Sequence, residues 1–165
     1  MREDPKLADE EYRVQQGPDG LLIAGGGKRG AMYGCYAVLE DVLGVRWYNA
    51  RVTKVPKRKT IAVPDLHISG KPSFEYREPF FTEAFDGDWA ARNRTNGHHQ
   101  RLTEALGGGL KYQPFVHTFD QLVPAGAYFA DHPEYFSMVD GKRVPNAQLC
   151  LTNPEVVRLS VAKVK

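Results

Sequence analysis

The stretch that decides the fold prediction is LLIAGGGKRGAMYGCYAVLEDVLG, residues 21–44. Its first four residues are apolar and predict a buried strand, which the glycines at 25–27 end. A helix is predicted from about Arg29 to Leu43, because apolar side chains recur there at helical spacing, at Met32, Cys35, Leu39 and Val42. Gly44 is a natural stop for this helix. A strand, a glycine turn and a helix in this order predict an α/β layer.

The flanking segments extend this pattern on both sides. Upstream, residues 12–15 are predicted as a short edge strand, and downstream residues 45–48 as the next strand. Residues 52–63 read as an exposed hairpin with the basic tip Pro56-Lys57-Arg58-Lys59. Such a charge run is usually solvated surface, and the functional alternative is a binding patch for an anion or polyanion. Residues 64–72 have the composition of a linker, with two prolines and a glycine.

Beyond the linker, strands and helices are predicted to alternate, which favours an α/β arrangement with parallel strands. The predicted strands are 74–77, 113–119 and 147–151, and the predicted helices are 89–96, 100–106, 128–136 and one that begins after the N-cap Asn153. Asp140-Gly141 predicts a hairpin turn. An eight-stranded barrel needs roughly 250 residues, so this chain stops well short of a closed one.

Composition excludes several classes of protein. The chain has 165 residues, of which 42% are hydrophobic and 25% charged, so it is neither disordered nor a coiled coil. Its net charge of +2 gives no case for a nucleic-acid binder. Two cysteines are too few for a disulfide scaffold or a four-cysteine zinc site. The longest apolar-rich run, residues 31–43, is too short to span a bilayer. Residues 1–6 contain no apolar core of a signal peptide.

One weak motif suggests a nucleotide. Residues 25–30 satisfy G-x-G-x-x-G between a strand and a helix, but the acidic residue expected about 20 positions later is missing. The alternative is a tight turn in which glycine lets two backbones approach. The five histidines form no recognised metal-binding pattern. The sequence therefore predicts no cofactor and no metal.

The chemically richest segments are Tyr76–Phe81 and Trp89–Gly97, in which aromatic residues alternate with Arg, Asn and carboxylates. Such a lining suits sugars, whose faces stack on aromatic rings and whose hydroxyls accept hydrogen bonds from side chains with several N–H groups, such as Arg and Asn. An acid/base pair could come from the four carboxylates of this region, Glu78, Glu83, Asp86 and Asp88. The alternative is a strand and a surface helix whose arginines pair with these acids.

Two resemblances cover nearly the whole chain after residue 12. Leu22–Gly26, Arg29–Glu40 and Leu43–Tyr48 resemble the small α/β domain that precedes the barrel in β-hexosaminidases and α-glucuronidases. Beyond residue 70 the chain resembles a bacterial family of glycosidase-like proteins known only as a domain of unknown function. The segments that carry this second resemblance are Tyr76–Phe80, Ala91–Asn93, His117–Phe119, Tyr128–Phe129, His132–Phe136, Gly141–Arg143 and Cys150–Pro154.

The resemblances imply a fold and a domain division. They imply an α/β fold, in which residues 1–66 are a partial hexosaminidase-type domain and residues 67–165 the first β/α units of an incomplete TIM-like barrel. The family domain normally begins earlier and ends later, so we expect the chain to be a fragment. An incomplete barrel has an unpaired strand edge, which predicts poor solubility or association.

The resemblances also imply a function. The full protein would be a glycoside hydrolase that acts on a polysaccharide or glycan with two carboxylates and no metal. The catalytic acids of such enzymes come from later barrel strands, so no catalytic residue is assigned and the fragment alone is expected to be inactive. The predicted substrate-binding residues are Arg77 for a hydroxyl or carboxylate, Arg92 and Asn93 to shape the subsite, His117 to donate to a hydroxyl, and Asn153.

The expected partners are a carbohydrate and the remainder of the polypeptide, with no nucleic acid and no membrane, and the full protein is expected to be exported. Two alternatives stay open. One is a carbohydrate-binding or scaffold module without chemistry, and the other is a nucleotide-binding α/β domain.

Overall fold

The computed structural model describes residues 2–63 and 65–165. The chain is a mixed α/β protein whose residues form two compact units, 1–111 and 112–165. The division predicted after residue 66 stays a prediction. The strands are β1 (Arg2–Glu3), β2 (Tyr12–Gly17), β3 (Gly20–Gly25), β4 (Arg46–Trp47), β5 (Thr53–Lys54), β6 (His67–Gly70), β7 (Met138–Val139) and β8 (Lys142–Arg143). The α-helices are α1 (Gly27–Ala37), α2 (Gly87–Arg92), α3 (Phe119–Leu122), α4 (Ala125–Tyr128) and α5 (Pro154–Val164).

The first unit is built on a four-stranded sheet in the order β1-β3-β2-β6. Strand β1 runs parallel to β3, while β2 pairs antiparallel with both β3 and β6. Strand β2 alternates buried Tyr12 and Val14 with exposed Arg13 and Gln15, as a strand with one face on a core requires. The prediction of an edge strand here was wrong, because β6 covers the outer side of β2. Strand β6 itself lies in the segment predicted as a linker.

Helix α1 closes the core over the sheet, and residues 38–42 continue it as a π-helical turn. Its buried side is formed by Tyr33, Ala37 and Val38, which pack with Tyr12 and Val14 of β2. Cys35 and Leu39 of the predicted apolar stripe are only half-buried, so the buried face is rotated from the predicted one. The helix itself is confirmed.

The glycine turn between β3 and α1 is explained by close backbone approach. A Cβ atom added to Gly25 would lie 1.8 Å from the Ala31 amide nitrogen, and one added to Gly26 would lie 2.1 Å from the Ala8 carbonyl oxygen. At Gly30 the added atom would lie 2.4 Å from the Glu11 carbonyl oxygen. These glycines let residues 8–11 pack directly on the turn. This is the close backbone approach that the sequence analysis gave as the alternative to a nucleotide site.

The basic segment pairs differently from the prediction. Strand β5 pairs antiparallel with β4, with Arg46 opposite Lys54 and Trp47 opposite Thr53. Residues 60–63 form no strand, so the predicted hairpin of 52–55 with 60–63 was wrong. The Asn49 side chain supports the β4–β5 turn by accepting hydrogen bonds from the backbone N–H groups of Arg51 (2.8 Å) and Val52 (2.9 Å).

The rest of the first unit is short helices and loops. Residues 74–77 are not the predicted strand, and the predicted helix 100–106 is reduced to a 3₁₀ turn at Glu104–Leu106. Helix α2 overlaps the predicted helix 89–96 but begins and ends earlier. Its start is set by Asp86, whose side chain caps the helix by accepting from the Trp89 N–H at 2.8 Å.

The second unit has its own core of Val123, Tyr135, Phe136, Leu149 and Val156. The hairpin β7–β8 is confirmed, with Asp140 and Gly141 both at positive φ as a type I′ turn needs. The cap of α5 is also confirmed: the Asn153 side chain accepts from the Glu155 N–H at 2.9 Å, and Pro154 is the first helical residue.

Two predicted strands of this unit were wrong. Residues 113–118 are mostly exposed and form no strand, and Phe119 already belongs to α3. Val116 and His117 lie in the left-handed region, at φ of 26° and 51°. Residues 147–151 contribute only one antiparallel bridge, between Phe136 and Leu149. The predicted helix over 128–136 is a 3₁₀ turn at Pro133–Tyr135 preceded by α4.

Candidate functional site

A buried ion network lies in the first unit. One oxygen of Glu10, Oε1, accepts from Arg29 Nε at 2.7 Å and from Arg77 Nη2 at 2.8 Å. The Tyr33 hydroxyl and the Asn96 amide lie 3.3 and 3.4 Å from the same oxygen. The Glu10 side chain is only 7% exposed, so this carboxylate depends on these partners.

Arg77, a predicted sugar-binding residue, uses its guanidinium within the protein. Its Nε donates to the Arg94 carbonyl at 2.6 Å, and its Nη1 donates to the Phe74 and Glu75 carbonyls at 2.5 and 3.2 Å. Its Nη2 donates to Glu10 and lies 3.2 Å from the Tyr33 hydroxyl. The observed role of Arg77 is therefore to tie the loop after β6 to residue 10.

The network changes the acidity of its members. Burial alone would raise the pKa of Glu10, but hydrogen bonds and charge from Arg77 and Arg29 together hold that pKa below its usual value. Burial, and next the negative charge of Glu10, raise the pKa of Tyr33 to about 12. The Glu10 carboxylate and the Tyr33 phenol are therefore held in the charged and the neutral form respectively near pH 7.

A second polar pair in the same unit, Glu78 and His99, lies beside the Phe80 ring. The Glu78 carboxylate accepts from His99 Nδ1 at 2.5 Å and from the backbone N–H groups of His98 and His99 at 3.2 and 2.8 Å. Burial raises the pKa of Glu78, but these hydrogen bonds outweigh it and lower the pKa overall. The Phe80 ring packs edge-on to His99 with centroids 4.9 Å apart. Glu78 is thus a structural carboxylate that holds the loop at 98–99.

An open cleft of about 590 Å³ lies elsewhere in the first unit. It brings together the carboxylates of Glu83 and Asp86 and the cations of Arg51 and Arg101, with Asn49, Ala50, Val52 and Thr82 beside them. The other two predicted acids lie outside its lining: Glu78 binds His99, and Asp88 lies 3.5 Å from Arg92. Two of the four carboxylates are therefore neighbours in one cleft.

The predicted binding residues Arg92 and Asn93 lie at the end of α2. Arg92 is half-buried and faces Asp88 one helical turn earlier, while the Asn93 amide donates to the Trp89 carbonyl at 2.9 Å. Neither side chain lines the cleft. The arrangement matches the alternative of a surface helix whose arginine pairs with an acid, and the predicted sugar contacts of both residues remain predictions.

The second unit contains a groove of about 410 Å³ around His117. Four further polar or aromatic side chains line it together with small residues: Phe119, Asp120, Asn146 and Gln148, beside Ala125, Pro145 and Ala147. Among the described residues, the side chains of Asp120, Asn146 and Gln148 form no hydrogen bond within the protein. This groove therefore offers two amides, a carboxylate, an imidazole and a phenyl ring to a ligand.

Asn153, the last predicted binding residue, has its side-chain oxygen committed to the cap of α5. It does not line the groove. His117, a predicted binding residue, lines the groove, and its contact with a sugar stays a prediction. Asp120, Asn146 and Gln148, which the sequence analysis did not single out, line the same groove. These lie in segments predicted as strand or left unassigned, and no spacing motif links residues 117–120 with 145–148.

The described residues contain no group of three or more His, Cys, Asp or Glu side chains that would hold a metal ion. None of the helices in the described part of the chain is long and apolar enough to cross a membrane.

Comparison with known proteins identifies a family. A family profile described as a domain of unknown function, DUF4838, matches residues 47–165. No curated protein and no solved structure shows a significant match. The match begins at β4 and continues through the cleft, the groove and α5. Because it covers more than half of the chain, this protein belongs to the DUF4838 family.

Proposed function

We propose that this chain is the carbohydrate-binding part of a glycoside-hydrolase-like protein that acts on a polysaccharide or glycan. The observation that carries the proposal is the groove of the second unit. It combines one aromatic ring with four polar side chains, and three of these make no internal hydrogen bond among the described residues. Sugars are recognised by such sets, in which a ring contacts the C–H face and amides and carboxylates pair with hydroxyls.

The residues have distinct roles in this proposal. Asp120 accepts from two neighbouring hydroxyls, Asn146 and Gln148 each donate and accept, and His117 donates to a further hydroxyl. Phe119, which is 38% exposed, supplies the stacking face. Next to His117, Val116 holds a left-handed backbone conformation that β-branched side chains rarely adopt, as strained residues at binding sites often do.

Hydrolysis by two carboxylates would need acids from outside the groove. Asp120 is the one carboxylate among its lining residues. We therefore propose that the hydrolytic acids belong to another part of an exported full-length protein, in agreement with the resemblance to β-hexosaminidases and α-glucuronidases. The single carboxylate also favours a second candidate function, a carbohydrate-binding module without chemistry.

Affinity electrophoresis through gels that contain single soluble polysaccharides tests the proposal. We expect at least one neutral polysaccharide to retard the chain. We expect Asp120→Asn to weaken the binding about tenfold, because a hydrogen bond to a charged group contributes about 1.5–3 kcal/mol. Asp131→Asn is the matched control, since Asp131 is exposed in the same unit but does not line the groove.

Two results would overturn the proposal. One is the absence of retardation in every polysaccharide, and the other is equal binding by the Asp120 and Asp131 variants. Release of reducing ends by the chain alone would contradict the expectation that its acids lie elsewhere.

A further inference from the structure

Residues 51–63 form an exposed segment with charge of one sign. It contains five cations, Arg51, Lys54, Lys57, Arg58 and Lys59, and no acidic residue. All five side chains are exposed, and none forms a salt bridge within residues 2–63 and 65–165. Ordinary protein surface mixes both signs, so the cations of this segment repel one another without compensation.

The segment is held in place at several points. Strand β5 pairs with β4, and the side chain of Asn49 fixes the turn between them. Farther along, the Pro56 ring and the Arg58 guanidinium lie beside Gly44, 3.3 and 3.8 Å from the position of an added Cβ atom. The cations are therefore presented by an ordered backbone, which reduces the entropy lost when a ligand binds.

The shape of the segment suits a linear ligand. Between β5 and residue 63 the backbone forms neither helix nor strand, and the stretch from Lys54 to Lys59 spans up to about 17 Å when extended. Aliphatic side chains are exposed among the cations, with Val52 50%, Val55 65% and Ile61 58% accessible. A polymer that carries both anionic groups and C–H faces can contact both kinds of side chain.

We propose that residues 51–59 bind an acidic polysaccharide, whose carboxylate or sulfate groups pair with the five cations. The choice of a glycan rests on the proposed function, whereas the anion-binding surface itself does not. A single-stranded nucleic acid is disfavoured because residues 51–63 contain no aromatic side chain on which bases could stack. A membrane surface is disfavoured because the segment is neither helical nor rich in Trp, Phe or Leu.

The neighbouring cleft limits this surface at one end. Arg51 lines the cleft together with Glu83 and Asp86, whose carboxylates repel an anionic polymer. The polymer is therefore expected to lie over Lys54 to Lys59 and to end at Arg51. This geometry predicts that the tip Lys57-Arg58-Lys59 contributes more to binding than Arg51 does.

Affinity electrophoresis with polygalacturonate and with dextran sulfate, each at several salt concentrations, tests the proposal. The triple variant Lys57→Gln, Arg58→Gln, Lys59→Gln is compared with Lys142→Gln, Lys163→Gln, Lys165→Gln, which removes the same charge from exposed positions in the second unit. We expect the tip variant to lose about tenfold or more in affinity. The negative slope of the logarithm of its binding constant against the logarithm of the salt concentration is expected to become shallower by about 2–3, because fewer counterions are released.

The control variant is expected to retain both the affinity and the slope. Equal losses in the two variants would show an effect of net charge and would overturn the proposal, as would the absence of binding to either acidic polysaccharide. Tighter binding to double-stranded DNA or to phosphatidylserine vesicles at the same salt would also overturn it. The two proposals fail separately, because Asp120→Asn alters the groove and leaves the five cations unchanged.

Discussion

Glu10 holds together the buried ion network of the first unit. Its carboxylate is buried with two guanidiniums, which come from α1 and from the loop after β6. Arg29 also donates to the Gly107 and Gly108 carbonyls, at 3.1 and 3.0 Å. Directly or through Arg29, this carboxylate connects the chain at residue 10 with α1, with the loop after β6 and with residues 107–108. Its removal would leave two buried cations without a counter-charge.

Glu10→Gln is therefore expected to lower the free energy of unfolding by about 3 kcal/mol, the cost of breaking a buried ion pair on one side. Urea unfolding followed by circular dichroism measures this change. Glu3→Gln, on an exposed residue of β1, is the control and should change the free energy by less than about 0.5 kcal/mol. Similar losses in both variants would show that the network contributes little to stability.

The pH dependence of stability follows from the same residues. The pKa of Glu10 is lower in the folded protein than its usual 4.5, so its contribution is present above pH 4.5 and is lost as the pH falls through the folded pKa. The pKa of Tyr33 is raised from 10.0 to about 12, so its contribution is present below pH 10 and is lost as the pH rises towards 12. The free energy of unfolding, measured across pH, should therefore fall at acid pH (the acid limb) and again at alkaline pH (the alkaline limb).

Matched variants separate the two limbs. Tyr33→Phe should flatten the alkaline limb and leave the acid limb in place. Glu10→Gln should flatten the acid limb and also move the alkaline limb to lower pH, because, next to burial, the Glu10 charge contributes to the raised pKa of Tyr33. An acid limb that is unchanged in Glu10→Gln would mean that other carboxylates cause it.

At the scale of single elements, local signals predicted some structure and missed the rest for physical reasons. The Asp140-Gly141 turn, the Asn153 cap and the turn at Gly25–Gly27 are determined by φ requirements, capping chemistry and steric contact between neighbours in sequence. Strand β6 was missed because only pairing with β2, more than 50 residues earlier, makes it a strand. Residues 74–77 alternate like a strand, but Arg77 turns inward to Glu10.

Two glycines of the second unit give a matched test of turn chemistry. An added Cβ atom meets nothing within 4 Å at either Gly141 or Gly126, but Gly141 has φ of +75° whereas Gly126 lies in α4. Gly141→Ala should therefore destabilise the second unit by about 1 kcal/mol, and Gly126→Ala should stabilise it by about 0.4–1 kcal/mol. Thermal unfolding measures both, and a change of the same sign in the two variants would contradict the assigned turn.

At the scale of the whole molecule, the sequence predicted the α/β class and membership in a family known as a domain of unknown function, and both are confirmed at that level. The predicted substrate-binding residues stay predictions. His117 lies in a groove, whereas Arg77 and Asn153 make internal hydrogen bonds, because buried carbonyls and helix ends require donors and acceptors that sequence patterns do not reveal. The barrel and the glycosidase activity stay predictions.

The central claim, that the second unit binds a carbohydrate in the groove around His117, is tested most directly by NMR. The chain of 18.5 kDa is titrated with an oligosaccharide of the polysaccharide that retards it most, and amide shifts are mapped on the sequence. We predict that the largest shifts fall at residues 117–120 and 145–148 and that they are lost in Asp120→Asn. Shifts confined to other residues, or no shift with any oligosaccharide, would contradict the claim.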